Sequence, residues 1–213
     1  MPTKVKICGI STAAALDAAI AGHADYCGLV FFPQSPRNVD PHTAANLAAR
    51  SAGAIRRVGL FVDADDTLLA ECVSAGQLDA IQLHGEESPA RTAAIRARFG
   101  LSVWKALPVA KATDVAGAEQ WRTVADLVLF DARTPKGAAL PGGMGLRFDW
   151  SLLAHRPGGM AWGLAGGLSP ANVAEAIGQT GAPLVDTSSG VERAPGDKDP
   201  NLIRQFCAAA RGA

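Results

Sequence analysis

Charge is scarce in this chain, and it is balanced where it occurs: 20 Lys+Arg stand against 20 Asp+Glu, together only 19% of 213 residues. A net charge of zero argues against the broad basic surface that nucleic-acid binding needs. Little charge combined with 48% hydrophobic residues and a mean hydropathy of +0.13 excludes a disordered chain. Long apolar runs are missing as well. Gly, Pro or a charge interrupts each run before it approaches the ~20 residues of a membrane span. The opening Met1-Pro2-Thr3-Lys4-Val5-Lys6 has no apolar stretch of the kind a secretory signal carries. The four cysteines (Cys8, Cys27, Cys72, Cys207) show no close pairing, which fits reduced thiols in the cytoplasm. His23, His42, His84 and His155 lack ligand spacing, so no metal is expected. These features predict one compact cytoplasmic domain over 1–213 with no membrane or nucleic-acid partner. They leave monomer and homodimer both open.

What the chain does have is order in its apolar runs. Val5–Cys8, Tyr26–Phe31, Arg57–Val62, Ala80–His84, Val103–Leu107, Leu127–Phe130, Ala161–Leu164 and Leu184–Asp186 are short and mostly apolar throughout, as strands covered on both faces are. Ala-rich helical segments lie between them, among them Ala13–Ala21, Thr43–Arg50, Thr67–Ala75 and Pro89–Phe99. Asp40-Pro41, Ser88-Pro89, Ser169-Pro170 and Asp199-Pro200 each pair an N-cap with Pro at the first helical position. Gly22, Gly53, Gly76 and Gly100 mark exits.

Strand and helix therefore alternate eight times, which calls for a parallel sheet built from right-handed crossovers. An open doubly wound sheet would want a G-x-G-x-x-G loop after its first strand, where this chain has Cys8-Gly9-Ile10-Ser11. The expected fold is a single (β/α)8 barrel. At about 27 residues per unit it is small for an architecture that typically takes ~250.

Barrels of this kind hold their sites at the C-terminal ends of the strands, and phosphate often sits in the loops after strands 7 and 8. Those loops contain Gly166-Gly167 and Ser188-Ser189-Gly190, candidates for an anion cradle of backbone N–H and hydroxyl donors, although both also suit ordinary tight turns. The other strand ends bring Cys8, Arg37, His84, Asp131 and Asp186 towards the same mouth. Cys8 reads either as a small buried hydrophobe or as a thiolate favoured by Lys6, two residues away on the same face. Arg37, in a Ser-Pro-Arg loop, suits a planar carboxylate if it is not merely solvated. Asp131 closes an apolar strand, so it needs either a function or a partner, or it caps a turn. His84 reads as a positioned hydrogen-bonding group. The Gly/Pro-rich stretch Arg133–Arg147 reads as a lid or as a disordered loop.

Taken together, Val5-Lys6-Ile7-Cys8-Gly9-Ile10, Ser35-Pro36-Arg37, Val58–Val62, Gln82-Leu83-His84-Gly85, Phe130-Asp131, Gly142–Gly145, Phe148-Asp149-Trp150, Ala165–Leu168 and Asp186–Glu192 resemble the phosphoribosylanthranilate isomerase family over nearly the whole chain. The resemblance implies a cofactor-free Amadori rearrangement in tryptophan biosynthesis, with a small phosphosugar–anthranilate as substrate. It implies Cys8 as general base, Asp131 as general acid, Arg37 on the anthranilate carboxylate and Asp186 near the sugar. It also implies phosphate binding at Gly166, Gly167, Ser188, Ser189 and Gly190. In this reading the Cys8 pKa has to fall and the Asp131 pKa has to rise. Met144 stands where the family commonly has Thr. The histidine-pathway isomerase is expected to have Asp in place of Cys8, and a non-catalytic phosphosugar-binding barrel would need no Cys8–Asp131 pair.

Overall fold

All eight apolar runs become strands of one closed parallel barrel in a computed structural model, which describes residues 2–134 and 142–213. The strands are β1 (Lys4–Cys8), β2 (Tyr26–Phe31), β3 (Arg56–Phe61), β4 (Ala80–Leu83), β5 (Ser102–Val109), β6 (Leu127–Ala132), β7 (Trp162–Leu164) and β8 (Leu184–Thr187). They follow sequence order around the barrel, and β1 closes it against β8 with Lys4 opposite Leu184 and Lys6 opposite Asp186.

The strands lack visible alternation because both of their faces are buried. Ile7, Cys27, Leu29, Phe31, Phe61, Ile81, Val128 and Phe130 belong to the layer between sheet and helices. Tyr26, Val58, Ala80, Trp104, Ala106, Leu129 and Leu184 fill the barrel, where the Tyr26 and Trp104 rings meet edge to face at 5.0 Å. Nearer the C-terminal mouth the filling thins to Cys8, Val30 and Leu60, and polar side chains take over.

Helices α1 (Ala13–Ala21), α2 (Pro41–Ser51), α3 (Asp66–Ala75), α4 (Pro89–Phe99), α5 (Ala112–Ala116), α6 (Val173–Thr180) and α7 (Pro200–Arg211) lie around the sheet. Their starts follow local chemistry. Asp40 caps α2 through the Thr43 N–H, Ser88 caps α4 through Arg91, and Asp199 caps α7 through Asn201 and Leu202, each with Pro in the first turn. Gly22, Gly76 and Gly100 end α1, α3 and α4, whereas α2 ends at Ala52, one residue before Gly53.

Two expectations are corrected. Ser169-Pro170 does not open α6. Asn172 Oδ1 accepts the Ser169 N–H at 2.9 Å and its amide donates to the Gly167 carbonyl at 3.0 Å. That side chain holds residues 169–172 as a turn, and the helix starts at Val173. The alternation also lapses once. Among the described residues the crossover after β6 carries only a 3-10 turn, Trp150–His155, capped by Asp149 through the Ser151 N–H. Residues 135–141, the centre of the expected lid, lie outside the described residues.

One ion pair stands between the sheet and the helices. Lys105 on β5 donates to Glu87 Oε2 at 2.7 Å and to the Gly85 carbonyl at 2.6 Å, with both side chains 3% exposed. Glu87 also accepts the N–H groups of Asp63 and Gly85, so the pair ties together the loops that follow β3 and β4. Lys105→Met would leave a buried carboxylate without its cation. The unfolding free energy in a urea titration is expected to drop by about 3 kcal/mol. A loss below about 1 kcal/mol would show that the backbone donors alone are enough.

Candidate active site

The C-terminal ends of the strands open into a cavity of about 790 Å3, counted to its open mouth. Cys8, Arg37, His84, Asp131 and Asp186 all line it, together with Gly166, Gly167, Ser188 and Ser189. Gly190 stands behind that wall, with its bare Cα pressed against the Leu168 carbonyl.

The floor is an ion pair. Lys6 is wholly buried, and its ammonium donates to both oxygens of Asp186 at 3.0 Å, as the β1–β8 register requires. Burial opposes the charge on Lys6, but Asp186 and the adjacent Cys8 outweigh it and raise the Lys6 pKa above its ordinary value. A methyl added at Gly28 would come within 2.9 Å of Cys8 Sγ and 3.2 Å of Lys6 Nζ, so both side chains lie over that bare backbone.

This arrangement corrects one expectation. Burial pushes the Cys8 thiol up; Lys6 and Lys198 pull it down while Asp186 opposes them, and the net shift is upward. Lys6 is already committed to Asp186, and the site therefore favours a thiol over a thiolate at Cys8.

Across the cavity Asp131 stands near the end of β6. Its Oδ1 accepts the Ala132 N–H at 2.8 Å, and its Oδ2 lies 3.3 Å from His84 Nε2. The other ring nitrogen of His84 meets the Gln82 side-chain amide at 3.1 Å. With the amide nitrogen donating to Nδ1, the Nε2 side of the ring faces Asp131 as a donor. His84 is thus a positioned hydrogen-bonding group, as its place at the strand end suggested. Gln82 was not singled out beforehand, although it shares the inward face of β4 with Ala80.

Arg37 is 5% exposed and forms a two-pronged pair with Glu192, Nε to Oε1 and Nη2 to Oε2, each at 2.8 Å. Glu192 begins a short hairpin of β9 (Glu192–Ala194) and β10 (Asp197–Lys198), and Lys198 reaches back to Glu192 Oε1 at 2.5 Å. Although burial opposes it, Arg37 and Lys198 hold the Glu192 carboxyl below its usual range. Lys198 also donates to the Ser188 carbonyl and hydroxyl at 3.0 and 3.1 Å, so the Ser188 side chain already has a cation.

The loops expected to cradle an anion present backbone. Gly166 and Gly167 take φ values of +85° and +63°, which other residues rarely adopt, and this turns the chain sharply after β7. Among the described residues no backbone carbonyl accepts the N–H of Gly167, Ser189 or Gly190. The Thr187 hydroxyl donates to the Leu168 carbonyl at 2.7 Å and fastens the two loops together. Residues 142–147, the described end of the loop after β6, cover the cavity. A side chain at Gly142 would meet His84 and Asp131, and Met144, 48% exposed, lines the opening.

A (β/α)8 barrel that gathers its thiol, carboxylates, imidazole and guanidinium at the C-terminal mouth has the layout of a barrel enzyme. A family model described as N-(5'phosphoribosyl)anthranilate (PRA) isomerase matches residues 5–209, and the chain belongs to that family. It is 56% identical over 212 residues to N-(5'-phosphoribosyl)anthranilate isomerase of Paramagnetospirillum magneticum, covering 100% of this chain and 99% of that one. Among solved structures, the phosphoribosyl anthranilate isomerase of Thermotoga maritima superposes with a TM-score of 0.87 at 34% identity, over 99% of this chain and 100% of that one. A phosphoribosyl anthranilate isomerase in complex with reduced 1-(O-carboxyphenylamino)-1-deoxyribulose 5-phosphate gives 0.84 at 33% identity, over 99% and 100% of the two chains.

The coupling of Cys8 to Lys6 and Asp186 can be tested by alkylation. Burial pushes Cys27 and Cys72 up to about 12 and Cys207 to about 11, and none of them lines the cavity. Iodoacetamide is therefore expected to modify Cys8 first, with a rate that climbs only above the usual thiol range. Asp186→Asn removes a negative charge that disfavours the thiolate and releases Lys6 towards it. The midpoint of the rate–pH curve should then move to lower pH. A midpoint that stays put or rises would contradict the coupling.

Proposed function

We propose that this chain converts N-(5-phosphoribosyl)anthranilate to 1-(2-carboxyphenylamino)-1-deoxyribulose 5-phosphate, the Amadori rearrangement of tryptophan biosynthesis. The reaction is redox-neutral and uses general acid and base groups of the chain alone. The observation that carries this reading is the meeting of Cys8 and Asp131 on one cavity between an arginine and a backbone anion cradle, in a chain of this family.

In this reading the phosphate occupies the Gly166–Gly167 and Ser188–Gly190 loops, and the anthranilate carboxylate meets Arg37. Protonated Asp131 donates to the furanose ring oxygen while the anthranilate nitrogen lone pair opens the ring. The C1–O bond breaks and a C1=N Schiff base forms. Cys8 thiolate then takes the C2 proton, and the C–H electrons become the C1=C2 bond of an enolamine. Transfer of the C2 hydroxyl proton to C1 gives the ketone.

The working pair, Cys8 thiolate with Asp131 acid, carries one proton. A Cys8 thiol with an Asp131 carboxylate carries the same number, and it is the pair left after the base step. A raised Cys8 pKa favours the second of these pairs. Resetting moves one proton from Cys8 to Asp131. Hydrogen bonds from sugar hydroxyls to Asp186 would loosen its hold on Lys6 and make the thiolate easier to form. His84 orients Asp131 throughout. A cytoplasmic location fits four free thiols.

A fluorescence assay of the purified protein with freshly made phosphoribosylanthranilate should show turnover, and no turnover would reject the reading. Cys8→Ser should cut kcat by at least ~10²-fold. Its stability is expected to stay within about 1 kcal/mol of the parent. Asp131→Asn should reduce kcat on the same scale with substrate affinity largely kept, and a change confined to KM would refute the acid role.

A further inference from the structure

A carboxylate contact is selective only when its guanidinium is held in one plane, and Arg37 is held by a part of the chain far from its own loop. Of its five N–H groups, Nε–H and one Nη2–H go to Glu192, and the other Nη2–H goes to the Gly143 carbonyl at 3.0 Å. The two N–H groups of Nη1 have no acceptor among the described residues. A methyl at Gly143 would come 2.7 Å from Nη1, so any side chain there would crowd that edge, and glycine leaves only bare backbone beside it. Behind Glu192 stands Lys198, whose side chain is 1% exposed.

Stability alone does not account for three buried charges here, because desolvation cancels most of what such an ion pair contributes. The β9–β10 hairpin that supplies two of them adds no strand to the barrel.

We propose that Glu192, steadied by Lys198, is a positioning residue for substrate recognition: it occupies the Nε/Nη2 side of Arg37, so that only the Nη1 edge meets a ligand carboxylate, in one plane. This rests on the reading of Arg37 as the carboxylate contact. Glu192 does not touch substrate. It sets which planar acid fits, here one carried on the ring of an anthranilate.

The test compares dissociation constants for 1-(2-carboxyphenylamino)-1-deoxyribulose 5-phosphate and for the same compound without its carboxyl, 1-(phenylamino)-1-deoxyribulose 5-phosphate. The parent protein should prefer the first, and Arg37→Ala should bring the two together. In Glu192→Gln one acceptor of the pair becomes an N–H2 facing another donor, so the preference should fall by about tenfold, the loss of one charge-assisted bond. Affinity for the carboxyl-free compound should stay within about twofold, and Glu192→Gln should have no effect in the Arg37→Ala background. Glu192→Asp keeps the charge beside Lys198 but shortens the reach. It should also lower the preference, and it serves as the test if the Gln variant does not fold.

A preference unchanged or increased in Glu192→Gln, with Arg37→Ala still abolishing it, would overturn the positioning role and leave Arg37 as the contact. Equal losses for both compounds, or a loss that persists without Arg37, would also overturn it. A preference that survives Arg37→Ala would remove the Arg37 contact itself, and this proposal with it.

Discussion

The Lys6–Asp186 ion pair is the constraint on which the rest of the site depends. It joins the first strand of the barrel to the last, with the ammonium bound to both carboxylate oxygens at 3.0 Å and wholly out of water. Neither charge tolerates burial alone, so the pair forms only when β1 and β8 meet in the register that sets Lys6 opposite Asp186. That register carries Cys8 to the barrel mouth and the Ser188–Gly190 turn beside it. Barrel closure and site assembly are in this sense one event, since a slip at the seam would break the ion pair and move the thiol together.

The pair also sets the electrostatics above it. A lysine two residues before a cysteine acidifies the thiol only if it has charge to spare, and here Asp186 holds most of it. Burial and Asp186 together outweigh the two lysines and favour a proton on sulfur. A second network, Arg37–Glu192–Lys198, stands beside it against Gly9. In both, a buried carboxylate fixes a cation at the barrel mouth.

Much of the fold was legible because the local signals agreed with one another. The apolar runs predicted all eight barrel strands to within two residues at either end, though not the β9–β10 hairpin, and the N-caps of α2, α4 and α7 fell where Asp or Ser precedes Pro. Ser169-Pro170 misled because the capping rule met a competing local contact, the Asn172 side chain bridging Ser169 and Gly167. Among the described residues no α-helix follows β6, and the long Gly/Pro-rich stretch there suits a loop or a lid equally well. Within the site, Cys8, Asp131 and Asp186 could be found because polar residues at the ends of apolar strands are conspicuous. Glu192 and Lys198 could not be ranked, because each looks like any other surface charge until the hairpin folds back onto Arg37. Gln82 was hidden within a strand that reads as apolar.

The sequence by itself determined the barrel, the strand ends that bear reactive groups and the two glycine- and serine-containing loops. Those features follow from periodicity and turn chemistry acting over a few residues. Only the tertiary structure decided which partner each charge takes: Asp186 for Lys6, Glu192 for Arg37, His84 for Asp131. These pairings join residues 180, 155 and 47 positions apart. The protonation of Cys8 depends on the first of them, because burial and Coulomb interaction act through space and not along the chain.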